Sequence, residues 1–356
     1  MDAKARLEHD IGKITEACLE LNSTIVALIL YGGYGRGEGS WYTDNEENWH
    51  PYNDYDVLLV VTEKSEPGAL RDTRVSLAKK IGVRWVDIAE TNCRNLSRYK
   101  PDIYHFELKS GGKVIYGDAN ILDMMPEIRP SEISLRDAER LFFTRAWTFL
   151  GGLKPGGLDV SYDGDESRFF RNQMAKAILA VVDALLLRKK TFFAAYRERV
   201  DHLVRDSNHS AIRQSAMWAL DEKLHPRSTA MSVAEVRSLF ASTRKLYLTH
   251  MFCVLGEHYG RKVASCRELE TAIFRSVHGL PRRMVSCLYR RSLTPLRWLS
   301  IALAQLYLLE ANDGFGIHND SLERGIRLMR KLDHAVPADI DWDRARLSAA
   351  KMRMEV

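Results

Sequence analysis

Apolar positions in the first third of the chain fall into two kinds of pattern. Short continuous apolar runs over residues 25–31 and 56–61 predict buried strands, and residues 83–89 predict a third. Apolar residues spaced three or four apart predict helices over residues 7–21 and 67–81, the second beginning at a proline and ending at a glycine. Strands that alternate with helices in this way indicate a small domain built on a β-sheet.

Two further segments of strand-like composition follow. Residues 104–108 and 113–116 flank Gly111 and Gly112, and this arrangement predicts a late hairpin that completes the sheet. The sheet that results would be mixed, with helices packed on it.

Helical spacing takes over in the rest of the chain. Pro126 and Pro130 bracket a predicted linker, and from residue 131 onward the apolar pattern is helical throughout. The predicted fold class is α+β or α/β. A small mixed β-sheet domain, residues 1–125, is followed by an all-helical domain, residues 131–356.

Composition sets broad limits on the protein. Its 356 residues suffice for two domains, and 46% hydrophobic with 28% charged residues is ordinary for a globular protein. A net charge of +5 permits an anionic substrate without demanding nucleic acid. The five cysteines form no Cys-x-x-Cys pair, the charged start lacks a signal-peptide pattern, and no apolar stretch is long enough to cross a bilayer. We therefore expect a cytoplasmic protein without a membrane partner.

Two aspartates stand at the entrance of the second apolar run. Asp54 and Asp56 follow the glycine-rich residues 32–37, and residues two apart on a strand point to one face with Cα atoms about 6–7 Å apart. Carboxylates this close repel each other unless a cation lies between them. Oxygen ligands beside a glycine loop suit Mg²⁺ that carries a phosphate substrate. The pattern therefore predicts phosphate chemistry.

The order of these motifs resembles the polymerase-β-like nucleotidyltransferase superfamily. A Gly-Gly turn at Gly32 and Gly33 is followed by Asp-x-Asp on the next strand and by a lone acid, Asp87, on a later one. The loop from Gly32 to Glu38 is similar to the glycine loop of the protein-PII uridylyltransferases. A small catalytic domain followed by helices is similar to the layout of the kanamycin nucleotidyltransferase group.

The resemblance implies an Mg²⁺-dependent transfer of a nucleoside monophosphate from a nucleoside triphosphate, with ATP as the first candidate, to a hydroxyl acceptor. Asp54, Asp56 and Asp87 would be the catalytic and metal-binding residues of a two-ion site. Asp87 would also help to take the proton of the acceptor. Glu90 is a rival for that role.

Four residues are predicted to bind the nucleotide: Gly32, Gly33, Arg36 and Lys176. Backbone N–H groups of the glycine loop can approach phosphates closely, and Arg36 offers a fork of donors. Lys176 lies in a helical apolar run near the place where related enzymes carry a triphosphate-binding lysine. The alternative for Lys176 is a side chain that only extends along the helix to solvent.

The insertion, the acceptor and the class of function each allow more than one interpretation. Residues 40–50 form a longer insertion than the family usually has, with Trp41, Tyr42 and Trp49 in a polar loop. The acceptor is not defined, and a catalytically silent nucleotide-binding protein of the same fold is the competing class. An RNA-directed transferase is a second alternative, because residues 275–297 carry several arginines, although sparse aromatic residues there do not favour nucleic acid.

Overall fold

The computed structural model describes residues 1–44, 46–52, 54–206, 210–277 and 294–354. The chain divides into two compact units. The first comprises Met1–Ser134, Lys190–Arg205 and Leu220–Pro226, and the second comprises Leu135–Lys189, Asp206–Ala219 and Arg227–Val356. The division after Ser134 lies close to the predicted linker. Two later segments nevertheless return to the first unit, so the units are not simply consecutive.

The elements follow in chain order. The strands are β1 Ile25–Tyr31, β2 Trp41–Thr43, β3 Trp49–Pro51, β4 Tyr55–Val61, β5 Val86–Asn92 and β6 Lys113–Gly117. The α-helices are α1 Ala3–Leu21, α2 Gly32–Gly35, α3 Pro67–Ile81, α4 Ile103–Gly111, α5 Leu135–Gly151, α6 Gly164–Arg188, α7 Tyr196–Arg205, α8 Ser210–Leu224, α9 Val233–His258, α10 Cys266–Val277, α11 Thr294–Ala311, α12 Asn319–Leu332 and α13 Trp342–Met354. Short 3₁₀ helices cover Cys93–Arg98, Ile121–Met124 and Pro130–Glu132.

The first unit is built on a four-stranded sheet with the strand order β5-β4-β1-β6. Strand β4 pairs parallel with β5 and antiparallel with β1, which in turn pairs antiparallel with β6. Strands β2 and β3 form a separate antiparallel hairpin. A small mixed sheet followed by helices confirms the predicted fold class.

Both faces of the four-stranded sheet are covered, which explains why its central strands are continuous apolar runs. On one face, Leu28 and Val57 pack with Ile14 of α1 and Leu77 of α3. The opposite face is formed by alternate residues and packs against α4 and two 3₁₀ helices; its buried members are Ala27, Ile29, Leu58, Val60, Leu96, Leu108, Ile121 and Met125. Strand alternation assigns Asp56 to this second face.

The predicted late hairpin is wrong in its first strand, because residues 104–108 belong to helix α4. The Asp102 side chain accepts a hydrogen bond from the backbone N–H of His105 at 2.7 Å and so caps the start of the helix. Leu108 is buried in the core beneath the sheet. Strand β6 pairs with β1 instead of with residues 104–108.

Strand β5 begins three residues later than predicted. Gly82 adopts a left-handed conformation, with φ of 82°, and the N–H of Val83 donates to the carbonyl of Ala78 at 3.0 Å. Residues 82 and 83 therefore complete the C-terminal cap of α3 and do not belong to a strand. Compared with the predicted strand over residues 83–89, β5 therefore excludes the residues before Val86 and includes Glu90.

The second unit is helical, as the spacing after residue 131 predicts. Helix α6 is buried along most of its length and packs against α5 and α9, while α11 packs against α5, α12 and α13. No described helix combines the length and apolar character that crossing a bilayer requires.

Candidate active site

The three predicted acids occupy adjacent positions at one end of the sheet. Asp56 is the second residue of β4, and its Cα is the parallel-ladder partner of Asp87 in β5. Asp54 lies just before β4 begins. Partner residues on neighbouring strands direct their side chains to the same face. The fold therefore places side by side two acids that are 31 positions apart in the sequence.

The glycine turn after β1 lies against one of these acids. Gly32 has a φ of +63°, and a Cβ atom added there would lie 1.9 Å from Oδ2 of Asp56. Any side chain at residue 32 would collide with the carboxylate, so the turn requires glycine for space as well as for conformation. The turn closes when the N–H of Glu38 donates to the carbonyl of Gly33 at 2.7 Å. Gly32 is thus next to Asp56, while nucleotide binding by Gly32 and Gly33 stays a prediction.

Ionisation of Asp56 is unfavourable in this environment. Burial, followed by the charges of Asp54 and Asp87, raises the pKa of Asp56 to about 8, whereas Lys223 and Arg36 oppose the rise. An aspartate ordinarily titrates near pH 4. The site therefore concentrates negative charge that a bound cation would compensate.

Asp87 and Glu90 have different surroundings although both are in β5. Asp87 is exposed to solvent beside Asp56. Glu90 is the ladder partner of Leu59, and its carboxylate accepts hydrogen bonds from both the N–H and the hydroxyl of Ser65. Glu90 thus stabilises the loop at Ser65, at a different point of the strand. The geometry favours Asp87 for chemistry beside Asp56.

Lys223, which no sequence motif marks, also belongs to this site. It is a buried residue near the end of α8 and acts electrostatically on Asp56. Its Nζ donates to Oγ of Ser40 at 3.3 Å, and the Ser40 hydroxyl donates to the backbone carbonyl of Lys223. These two residues are 183 positions apart, so only the folded chain reveals the contact.

Arg36 follows the glycine turn but points into a buried ion-pair cluster. Its Nη1 donates to Oε2 of Glu107 at 2.6 Å, and its guanidinium lies 5.2 Å from the centre of the Tyr196 ring. Only 4% of the Arg36 side chain is exposed. Glu107 therefore holds Nη1, whereas the buried Nε makes no hydrogen bond to the described residues. The predicted contact of Arg36 with phosphate stays a prediction.

Two tyrosines lie beside the acids and carry no sequence signal. Tyr31 is the antiparallel partner of Asp56, and its ring meets that of Tyr104 edge-on with centroids 5.5 Å apart. Burial raises the pKa of Tyr104 to about 12 and that of Tyr31 further still. Both phenols therefore stay neutral near physiological pH, where a phenol can donate a hydrogen bond next to the carboxylates.

Lys176 lies in helix α6 of the second unit, where it is half-buried. The acids, the glycine turn and Lys223 all belong to the first unit. Binding of a triphosphate by Lys176 stays a prediction.

The insertion over residues 40–50 is a hairpin where a polar loop was expected. Strands β2 and β3 pair Tyr42 with His50, and the two rings stack with centroids 5.3 Å apart. At the tip, the Asp44 carboxylate accepts from the N–H groups of Glu46 and Asn48. Hydrogen bonding to His50, followed by that from Asn48, lowers the pKa of Asp44 to about 2. Hydrogen bonds therefore hold Asp44, Glu46, Asn48 and His50 together at this end of the hairpin.

Most of the arginine-rich segment, residues 275–297, lies outside the described residues. Arg282, Arg283, Arg290 and Arg291 lie outside the described residues. Arg275 is exposed near the end of α10, and Arg297 lies in the first turn of α11. These two positions alone do not define an anion-binding surface.

The donors at the sheet end suit Mg²⁺ in kind. Among the described residues, no three His, Cys, Asp or Glu side chains are close enough together to hold a metal by themselves. Mg²⁺ is commonly bound by one or two carboxylates with water and substrate phosphates completing its shell, so it does not require a closed protein cage. The electrostatic interaction of Asp56 with Asp54 and Asp87 supplies the observation that fits such an ion.

The similarity of this chain to known proteins is found among solved structures. No protein-family model matches the chain, and no curated protein sequence matches it. Among solved structures, one similar fold is the spectinomycin adenyltransferase AAD(9) from Enterococcus faecialis, crystallised with ATP and spectinomycin. The likeness has 10% sequence identity and a TM-score of 0.41, and covers 68% of this chain and 98% of that one. A likeness at this level carries no argument about activity.

Proposed function

We propose that the protein is an Mg²⁺-dependent nucleotidyltransferase of the polymerase-β-like superfamily, with a layout like that of the kanamycin nucleotidyltransferase group. It moves a nucleoside monophosphate from a nucleoside triphosphate, ATP being the first candidate, to a hydroxyl acceptor. One observation carries the proposal. Asp56 is in register with Asp87, follows Asp54 by two residues, and lies against Gly32 of the glycine turn.

Asp54 and Asp56 would hold the ion that accompanies the triphosphate, and Asp56 with Asp87 would hold a second ion. When bound, such ions neutralise the charge that develops on the α-phosphate and on the departing pyrophosphate. The negative charges of Asp54 and Asp87 around Asp56 support this assignment, because carboxylates this close are unfavourable neighbours without a cation.

The other residues of the site have roles that follow from their position. The backbone N–H groups of Gly32 and Gly33 approach the phosphates, and the ammonium of Lys223 balances phosphate charge beside Asp56. Asp87, exposed to solvent, takes the proton of the acceptor hydroxyl. The hydroxyl oxygen bonds to the α-phosphorus, the bond from that phosphorus to the β-phosphate oxygen breaks, and pyrophosphate leaves.

The same proposal includes a cytoplasmic location. Cys18, Cys93, Cys253 and Cys266 are free cysteines in the described chain, as is typical of a reducing compartment.

The test is incubation of the purified protein with each labelled nucleoside triphosphate, Mg²⁺ and cell extract, followed by detection of pyrophosphate and of the labelled acceptor. Transfer should require Mg²⁺ and should be lost in Asp54→Asn/Asp56→Asn. The matched control is Asp118→Asn/Asp123→Asn, which changes two exposed aspartates of the same unit.

The outcomes separate the competing classes. If the protein binds a nucleoside triphosphate in the presence of Mg²⁺ but transfers no nucleotide to any acceptor, the catalytically silent nucleotide-binding class is favoured. Label incorporated into RNA, with steep salt dependence, would favour the RNA-directed enzyme. A wild-type protein that binds no triphosphate would exclude the proposal.

A further inference from the structure

Four charged side chains around the glycine turn lie close together, and we call them the Arg36–Glu107 cluster: Arg36, Glu38, Glu107 and Arg199. Nη1 of Arg36 donates to Oε2 of Glu107 at 2.6 Å, and Nε of Arg36 lies 3.8 Å from Oε2 of Glu38. Nη2 of Arg199 donates to the other oxygen of Glu107, Oε1. Two carboxylates balance two guanidinium groups, so the set is neutral.

Charge balance is what allows this cluster to be buried. The Arg199 side chain is 0% exposed and that of Arg36 is 4% exposed. A buried guanidinium without a carboxylate partner is strongly destabilising. Glu107 is the residue that both arginines share, so the burial of each depends on it.

The cluster joins segments that are far apart in the sequence. The Glu38 carboxylate accepts from the N–H groups of Tyr196 at 2.7 Å and Arg197 at 2.9 Å, which belong to the first turn of α7, where a helix supplies no intrahelical acceptor. Arg199 also donates to the carbonyls of Phe193 and Ala194, each at 2.7 Å. Glu38 and Glu107 therefore both hold the segment Lys190–Arg205 against the residues that follow the glycine turn.

The glycine turn has little room to move independently of the cluster. A Cβ added at Gly111 would lie 2.5 Å from Cγ of Arg36, and one added at Gly35 would lie 2.5 Å from the carbonyl oxygen of Leu30. The guanidinium groups of Arg36 and Arg199 both lie over the Tyr196 ring, at 5.2 and 4.7 Å from its centre. A shift of Arg36 would therefore be transmitted both to the turn and to α7.

We propose that Glu107 is a positioning residue that couples the glycine turn to the segment Lys190–Arg205, so that nucleotide binding at the turn and ordering of the start of α7 strengthen each other. Glu107 acts through Arg36 on one side and Arg199 on the other. The inference rests on the proposed function, because that function places the phosphates at the glycine turn. Coupling between two sites is reciprocal, so it is measurable from either side.

The first measurement is the affinity for MgATP by calorimetry, at a temperature well below the melting point of every variant. Glu107→Gln should weaken binding about tenfold, the scale of an ordinary coupling energy. The matched control is Lys109→Met on the same helix, since Lys109 donates to the carbonyls of Leu122 and Met125 at 3.1 and 2.9 Å and does not contact the cluster. The control should lower the melting temperature while leaving MgATP affinity unchanged.

The second measurement is hydrogen exchange of the Tyr196 and Arg197 amides, which a merely structural role of Glu107 would not link to nucleotide. MgATP should slow their exchange in the wild type and in Lys109→Met, but not in Glu107→Gln. If Glu107→Gln does not fold, Arg199→Lys keeps the charge but loses the fork of donors, and should weaken MgATP binding by a smaller factor.

The contrary results are distinct. If the wild type binds MgATP and the cluster variants bind it equally well, the coupling is excluded while the proposed function stands. If Lys109→Met loses affinity as much as Glu107→Gln, the effect is general destabilisation and the positioning role is excluded. A wild type that binds no nucleotide overturns both proposals.

Discussion

At the scale of single residues, Asp56 shows a conflict between stability and chemistry. Its folded-state pKa of about 8 lies above the value near 4 expected in an unfolded chain. Between these two pH values the folded protein holds a proton that the unfolded chain releases. The free energy of unfolding therefore falls as pH rises through this window, and the site loses stability where the carboxylate ionises.

The first prediction follows from that sign. Asp56→Asn should raise the free energy of unfolding by about 2 kcal/mol at pH 8, a figure discounted for partial solvent access, and the gain should shrink as pH falls toward 4. The measurement is chemical denaturation at several pH values in EDTA. Adding Mg²⁺ should stabilise the wild type at pH 8 and leave the variant unchanged. A variant less stable than the wild type at pH 8 would show that the Asp56 charge is compensated in the folded protein.

The second prediction concerns the two acids of β5. Asp87→Asn should reduce turnover by at least about 100-fold, the lower end for loss of a general base, with a much smaller change in nucleotide affinity. Glu90→Gln should keep most of its turnover, because its partner is Ser65, and should cost about 1 kcal/mol of stability from a weakened hydrogen bond. Single-turnover rates and calorimetric affinities of both variants decide the matter. An impaired Glu90→Gln beside a healthy Asp87→Asn would reverse the assignment.

At the scale of elements, the hairpin β2–β3 separates two tryptophans that look alike in the sequence. Trp41 packs against the core of the sheet and meets the Tyr34 ring edge-on, with centroids 5.4 Å apart. Trp49 lies on the opposite strand and is 40% exposed. Because their surroundings differ, one ring supports the fold and the other is available to a ligand.

The third prediction uses this pair as matched variants. Trp41→Ala should lower the free energy of unfolding by about 2 kcal/mol, less than for a fully buried aromatic residue. Trp49→Ala should change it by less than about 0.5 kcal/mol, as for a surface substitution, but should alter nucleotide or acceptor affinity. Thermal melting and MgATP titration measure the two effects. Equal losses of stability would show that both rings belong to the core and that Trp49 is not available to a ligand.

Helix α4 shows how an element can be misassigned from its apolar pattern. Tyr104, Phe106 and Leu108 alternate as in a strand, yet Asp102 caps a helix start and Leu108 is buried beneath the sheet. Alternation over so few residues also fits one helical turn and a half, so the capping residue is the better local signal.

At the scale of the whole molecule, the first unit is assembled from three stretches of chain. Phe192 meets the Phe106 ring with centroids 5.7 Å apart, Arg199 binds Glu107, and Lys223 binds Ser40. Each of these contacts joins the N-terminal sheet domain to residues beyond position 189.

The fourth prediction is that a fragment ending at Ser134 is less stable than the first unit in the intact chain and fails to bind MgATP. It retains the sheet and the acids but lacks Lys223 and Arg199, one of the two arginines that bind Glu107. Far-ultraviolet circular dichroism and calorimetry provide the comparison. A fragment that melts cooperatively and binds MgATP as tightly as the intact protein would show that the returning segments are dispensable.

Local signals in the amino-acid sequence were enough to predict several elements. Continuous apolar runs predicted β1 and β4, helical spacing predicted α1 and α3, and the glycine turn with Asp54, Asp56 and Asp87 predicted the place of the candidate site. These signals are readable because each depends on residues a few positions apart, through strand and helix periodicity and the conformational demands of glycine.

Features that depend on distant residues became visible only in the folded chain. The register that sets Asp56 beside Asp87, the shared contact of Arg36 and Arg199 with Glu107, and the placement of Lys223 at Ser40 join positions 31 to 183 residues apart. No periodicity links such positions. They meet because covering the sheet and neutralising buried charge are requirements of the folded unit as a whole, and segments of the later chain satisfy them.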